Sequence, residues 1–402
     1  MLRVLQTADW HLADRGTIAG KLVLKDGVNL TLFERIQAVN RIVEFVVSNP
    51  VSLVVIPGDL FDHPNPEDPA VDIAVGAINT MAAKAPVVIV KGNHDGGKGA
   101  EVSNALASLK ERPGVHVFEA PGVLSLPIFD EAAFQNVTVK IFALPYPRKA
   151  ALKSDPACKG MSPEELSVYI SQKMDEILAG FHAQIDDQAV NILAGHITVA
   201  DAHYSQEQTA MPFDIIIRRE LLKPFDLVCL GHLHDPQEFY SGAIVRAGFG
   251  EATMTPGFKV YDIETINGRP DSSNMQFVTL PARDYLTFTP EEFMEFSPET
   301  NDGLSEVAIR VKGKALRPDY DAVIRKAKSL GLPFFKNAME VQLEAVGVGT
   351  TGDVTEEPDL EGAIRMWGAG RDGIDKFIEK LLQAGREIEE KYTGEYAGDN
   401  SI

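Results

Sequence analysis

The sequence predicts a layered α/β fold followed by a smaller β-α-β unit and a helical tail. Three observations predict it. From Met1 to about Pro281, short apolar runs alternate with helix-like segments, the pattern of strands and helices stacked in layers. The pattern breaks at Pro281-Ala282-Arg283 and resumes as a shorter strand–helix–strand succession. Beyond that, an amphipathic stripe closes the chain.

The apolar runs cover residues 2–7, 51–56, 87–90, 137–144, 190–193 and 227–230, with candidate helices near 32–47, 70–84 and 98–110. The best-marked helix starts at Ser162. Ser162 can cap it, Pro163 suits the first turn, and Glu165 completes a capping box. Leu166, Ile170, Met174, Ile177, Leu178 and Phe181 follow at helical spacing. In the second unit, residues 306–312 alternate like a half-buried strand, 318–330 read as a helix closed by Gly331, and 339–346 read as another strand. Residues 347–359, rich in Gly, Thr and acids, read as a linker. Residues 373–392 place Ile374, Phe377, Ile378, Leu381, Leu382 and Ile388 on one stripe. The expected division is therefore 1–282, 283–346 and 347–402.

Bulk properties narrow the function. The chain has 402 residues, 45% of them apolar and 24% charged, an ordinary globular composition. No apolar stretch approaches the length needed to cross a bilayer. A cleaved leader would have to remove the first strand, so a cytoplasmic protein without membrane partners is expected. Cys158 and Cys229 are the only cysteines, too few and too far apart to suggest a thiolate metal site. The net charge is −20. Phosphate neutralisation supplies most DNA affinity, so this balance argues against strong DNA binding by the chain alone.

Five segments share one design, an apolar run and a small residue or tight turn followed by a potential ligand. They are Thr7-Ala8-Asp9-Trp10-His11, Gly58-Asp59-Leu60-Phe61-Asp62, Gly92-Asn93-His94-Asp95, Gly195-His196 and Gly231-His232-Leu233-His234. Strands of layered α/β domains present functional groups at their carboxyl ends, so five such ends on neighbouring strands would meet in one cleft. On an extended chain, Asp9 and His11 would share a face, as would His232 and His234, and no strain is expected. Carboxylate, imidazole and one amide without thiolate suit manganese, iron or zinc in a catalytic site. Two such ions about 3.5–4 Å apart stabilise the oxygens of an in-line displacement at phosphorus. Each motif alone is weak. A solitary D-x-H is more often a surface pair, and His116, His182 and His203 read as structural or solvated. The conjunction of all five carries the expectation of a two-metal phosphodiesterase.

These segments resemble the phosphoesterase motifs of the calcineurin-like metallophosphoesterases. Thr7-Ala8-Asp9-Trp10-His11-Leu12, Gly58-Asp59-Leu60-Phe61-Asp62, Leu144-Pro145-Tyr146-Pro147 and the segment 248–258 followed by a strand resemble one branch further, the SbcD-type nuclease subunit of the SbcCD complex. That resemblance covers roughly the first three quarters of the chain. It implies a four-layer β-sandwich flanked by helices, with a capping domain near 284–346. It implies that Asp9, His11, Asp59 and His234 hold one metal, and Asp59, Asn93, His196 and His232 the other, with Asp59 bridging. His94 would orient or protonate the scissile phosphodiester, with Asp62 fixing its tautomer and Asp95 a second candidate for that support. Protein phosphatases of the superfamily carry an arginine just after the residue matching Asp62. Here His63 stands there, either a loop histidine or a substrate contact.

Members of that branch are manganese-dependent exonucleases and endonucleases on DNA that dimerise and work with the coiled-coil ATPase SbcC. The tail stripe is then a candidate docking segment for that ATPase, equally readable as packing on the chain's own cap. The expected function is a DNA nuclease subunit in recombination or repair, acting on duplex ends and on single strands or hairpins. The rival is a phosphodiesterase using the same site on a nucleotide or other small diester.

Overall fold

A computed structural model describes residues 1–96, 105–130, 135–147, 156–204, 214–266, 268–298 and 302–342, together with Gln383. In chain order its principal elements are β1 (Leu2–Gln6), α1 (Leu30–Ser48), β2 (Leu53–Pro57), α2 (Asp68–Ala82), β3 (Val87–Val90), β4 (Val115–Phe118), β5 (Gly122–Asp130), β6 (Gln135–Leu144), α3 (Pro163–His182), β7 (Val190–His196) and β8 (Leu227–Gly231). They continue with β9 (Gly257–Ile266), β10 (Arg269–Thr279), β11 (Asp284–Phe288), α4 (Pro290–Glu295), β12 (Val307–Leu316), α5 (Arg317–Ser329) and β13 (Phe335–Gln342).

Two sheets face each other. The first has the order β10-β9-β1-β2-β3-β4, and the second β8-β7-β6-β5. Strands β1 to β4 pair in parallel, as do β6, β7 and β8, while β9, β10 and β5 add antiparallel edges. Strand alternation divides the side chains between layers. Leu2, Val4, Leu53, Val55 and Val88 pack with Val139, Ile141, Ile192 and Cys229 between the sheets. Leu5, Val54, Ile56 and Ile89 pack instead with Leu32, Val39 and Ile42 of α1 and Ala74 and Ile78 of α2. Phe142, Leu193 and Leu230 pack with Ile170, Met174, Leu178 and Phe181 of α3. The result is the expected four-layer order, helices on either side of a β-sandwich. Strands buried on both faces carry apolar residues at successive positions, which is why β2 and β3 stood out in the sequence.

The strand–helix–strand region expected after Arg283 has its own core of Phe293, Leu304, Ile309, Val311, Val323 and Ala327. It holds three parallel strands, β11-β12-β13, with α4 and α5. Strand β11 escaped the sequence reading because only Tyr285 of its five residues is fully buried, leaving no alternation to read. Met1–Gln342 form one compact unit. The expected linker and tail stripe lie outside the described residues, as does most of the helix expected at 98–110. Of that helix, Ala105–Leu109 form a 3-10 turn. No helix among the described residues is long and apolar enough to cross a membrane.

The helix expected at Ser162 forms with its capping box intact: Ser162 accepts from the Glu165 amide, and the Glu165 carboxylate accepts from the Ser162 amide. Ser162→Ala should cost about 1 kcal/mol of unfolding free energy, read from urea titration. A change near zero would mean the cap does not hold the first turn of α3.

Candidate metal centre

The functional side chains sit in loops just past the carboxyl ends of β1, β2, β3 and β8, and at the last residue of β7. The loops after β1 and β2 are laced together: the Asp9 amide donates to Gly58 O at 3.2 Å, His11 to Asp59 O at 3.0 Å and Leu12 to Leu60 O at 3.0 Å. This lacing does not use extended backbone. Asp9, His11, Asp59 and His232 have φ of 53°, 46°, 50° and 101°, four of the seven non-glycine residues with positive φ among those described. The expectation of unstrained, extended ligand pairs is corrected here. Left-handed turns re-aim the side chains after each strand, at a cost of order 1–3 kcal/mol per residue.

Asp9, His11, Asp59, Asn93, His196, His232 and His234 come together in one cluster. Ligand atoms of Asp9, His11 and His234 lie within 4.8 Å of one another, as do those of Asp9, Asp59 and His196. The Asn93 Oδ1 is 2.9 Å from His196 Nε2 and 3.1 Å from His232 Nδ1, joining the remaining pair. Nε2 of His11 and Nε2 of His234 are 3.1 Å apart. The Asp59 Oδ2 is 3.3 Å from His196 Nε2 and 3.8 Å from His11 Nε2.

Three imidazoles are oriented from behind. Nδ1 of His196 donates to Pro57 O at 2.8 Å. Nδ1 of His234 is 2.5 Å from Glu251 Oε1, and Nε2 of His232 is 3.4 Å from Asp214 Oδ2. In each case the other ring nitrogen faces the cluster, the arrangement by which outer partners fix a ligand histidine's tautomer and raise its basicity. Glu251 is itself held by the Ala247 amide at 2.6 Å, and Asp214 by the hydroxyls of Thr198 and Tyr204 at 2.7 Å each. Sequence reasoning missed Glu251, Asp214 and Arg15. None of them ends an apolar run, so the pattern that revealed the cluster had nothing to register.

The supporting roles are redistributed. His94 Nδ1 is 2.8 Å from the backbone carbonyl of Asp62 and 3.8 Å from its carboxylate. The main chain therefore orients His94. The Asp62 carboxylate pairs instead with Arg15 Nη2 at 2.8 Å and lies 3.5 Å from His11 Nδ1. Asp95 is buried and accepts from the Phe61 and Gly92 amides at 2.9 Å each, so it braces the loops rather than His94. His63 Nε2 lies 3.6 Å from Glu67, beside the start of α2 and outside the cluster.

The electrostatics fit a cation. Burial opposes the charge on Asp59, yet the His196 and His11 imidazoles hold its carboxyl far below the usual range. Burial likewise works against charge on His196 and His234, but Asp59 raises the first to about 9 and Glu251 the second to about 9. Asp95 is pushed up to about 6 by burial and by the charge of Asp59. Protons on imidazoles thus supply the positive charge that these carboxylates require, and a divalent cation would displace them. The donors are oxygen and imidazole nitrogen without sulfur, suited to a catalytic divalent ion.

Residues 2–236 match the model of the calcineurin-like phosphoesterase family. Two curated relatives, from Staphylococcus epidermidis and Staphylococcus saprophyticus, both carry the name of a subunit of the nuclease SbcCD. They are 27% identical over 274 residues and 24% over 273, respectively. Each alignment covers 65% of this chain and 66% of the relative, slightly under two thirds of its length. Among solved structures, purple acid phosphatase PPD1 from yellow lupin seeds is similar with a TM-score of 0.34 and 15% identity, over 68% of this chain and 53% of that one.

Gly58 combines a φ of 97° with contact against the His196 ring, which a methyl group would overlap. Gly58→Ala should cost roughly 2–6 kcal/mol, from a left-handed penalty and an overpacking penalty of about 1–3 each. The urea midpoint measures it, and a loss below about 1 kcal/mol would contradict this close approach.

Proposed function

This chain belongs to the calcineurin-like phosphoesterase family, and we propose that it is the nuclease subunit of a DNA-processing complex, hydrolysing phosphodiesters with two divalent cations, manganese foremost. The observation that carries the reading is the convergence of seven donor residues from five separate loops and strand ends into one cluster. The two relatives named for the nuclease SbcCD support DNA as the substrate.

In this reading Asp9, His11, Asp59 and His234 would hold one cation, and Asp59, Asn93, His196 and His232 the other. Such a pair supplies Lewis-acid stabilisation of charge on the phosphoryl oxygens during in-line displacement. The chain's own groups do the rest. Glu251, Pro57 O and Asp214 keep three imidazoles turned inward, which lowers the reorganisation needed at the reacting phosphate. His94 stands beside His11 with ring centroids 4.7 Å apart. Its Nδ1–H is committed to the Asp62 carbonyl, so Nε2 of the imidazolium would give its proton to the departing oxygen, leaving neutral imidazole. The His94 amide donates to Asp59 Oδ1 at 2.8 Å, an interaction that survives truncation of the side chain.

A net charge of −20 gives the chain little long-range attraction for a polyanion. This favours a complex in which a coiled-coil ATPase of the SbcC kind and a second copy of the chain supply the grip on DNA. A cytoplasmic location and roles in recombination or repair belong to the same proposal.

His94→Ala should retain both cations in calorimetric titration and lose about 10²–10⁴-fold in turnover. Loss of a cation would overturn its role in proton transfer. Linear duplex DNA should disappear with manganese and persist with chelator, while closed circular duplex resists. Cleavage of bis(p-nitrophenyl) phosphate alone would replace DNA with a small diester as substrate.

A further inference from the structure

A cavity of about 380 Å³ shares a wall with the cluster through His11 and Asp62, and three arginines line it: Arg15, Arg35 and Arg246. In a chain of net charge −20, three guanidiniums beside two carboxylates leave this lining with a small positive balance. The acids on its wall are already engaged. Glu34 lies 2.5 Å from Arg283 Nη2, and Asp62 pairs with Arg15 at 2.8 Å. Arg246 is positioned by Met254 O at 2.7 Å, Arg283 O at 3.0 Å and Asp284 at 2.9 Å.

Arg35 is different. Its Nη1 donates to Thr31 O at 3.1 Å, but its Nε is buried and has no hydrogen-bond partner among the described residues. An unmet buried donor is costly, more so on a charged group, and the guanidinium that carries it belongs to the cavity lining. Guanidinium forks match phosphate oxygens in geometry and charge. Along a nucleic acid strand every phosphate has charged neighbours, so a strand with one phosphate at the cluster carries another nearby.

We propose that this cavity is a second phosphate subsite, taking a phosphate adjacent to the scissile one, with Arg35 and Arg15 as its donors. The proposal rests on the reading of the substrate as nucleic acid. It also gives the acidic chain a short-range means of selecting a strand over an isolated diester.

The test uses the full chain with manganese and compares thymidylyl-thymidine, which has a single phosphodiester, with the same dinucleotide carrying a terminal phosphate at either the 5′ or the 3′ end. One of the added phosphates should raise kcat/KM about tenfold, the scale of a charge-assisted contact. In Arg35→Gln, and separately in the more exposed Arg15→Gln, the ratio between the two substrates should fall towards one. A merely structural role would slow both substrates and leave the ratio intact, which overturns the proposal, as does no gain in the unaltered chain. Should only bis(p-nitrophenyl) phosphate be cleaved, the nucleic-acid reading fails by itself. Calorimetry with inorganic phosphate in chelator then decides the subsite. Binding weakened at least tenfold by either substitution upholds a phosphate site, and binding that is absent or unaffected removes it.

Discussion

A buried carboxylate holds the site together. Asp59 sits in a left-handed turn after β2 with almost no solvent contact, and an isolated ion in such a place costs several kcal/mol. Its oxygens are met by the His94 amide on one side and by the His196 and His11 imidazoles on the other. Four separate chain segments therefore have to arrive together for this one charge to be tolerated. Gly92 makes room for it, since a side chain there would run into the Asp59 carboxylate. The sandwich supplies rigid strand ends, and the carboxylate dictates how the loops beyond them close.

Strain is concentrated where the chemistry is. The strands themselves are regular and pack with alternating faces, while four of the seven left-handed non-glycine residues among those described follow the carboxyl ends of β1, β2 and β8. Hydrogen bonds between the β1 and β2 loops, and from the Phe61 and Gly92 amides to Asp95, stabilise those turns. Asp95 is informative because its carboxyl is pushed up to about 6 beside Asp59. The fold accepts two neighbouring acids, one to anchor backbone and one to face the cluster, and burial together with the charge of Asp59 drives Asp95 towards the neutral form.

Charge is distributed in two registers. Globally the chain is acidic, which at ordinary ionic strength gives little long-range attraction for DNA. Locally, the cluster invites cations and the adjoining cavity gathers guanidiniums. Under the function proposed above, such an arrangement would leave delivery of a strand to a partner and close recognition of its phosphates to this chain.

Apolar runs identified β2 and β3 almost to the residue, and Ser162 with Glu165 marked α3, because burial on both faces and end-capping leave local signatures. The members of the cluster were legible for the same reason, each following such a run or a glycine turn. Strand β11, with a single fully buried residue, left no signature. Amino-acid order alone determined which donors the strand ends would carry. Only tertiary structure decided how they are aimed: that Asp62 orients His94 through its carbonyl, that Glu251 and Asp214 stand behind His234 and His232, and that Arg15 and Arg35 meet at one cavity. Hydrogen bonds such as that from the His232 amide to Asp9, 223 residues away, depend on how layers stack, and no local pattern encodes that.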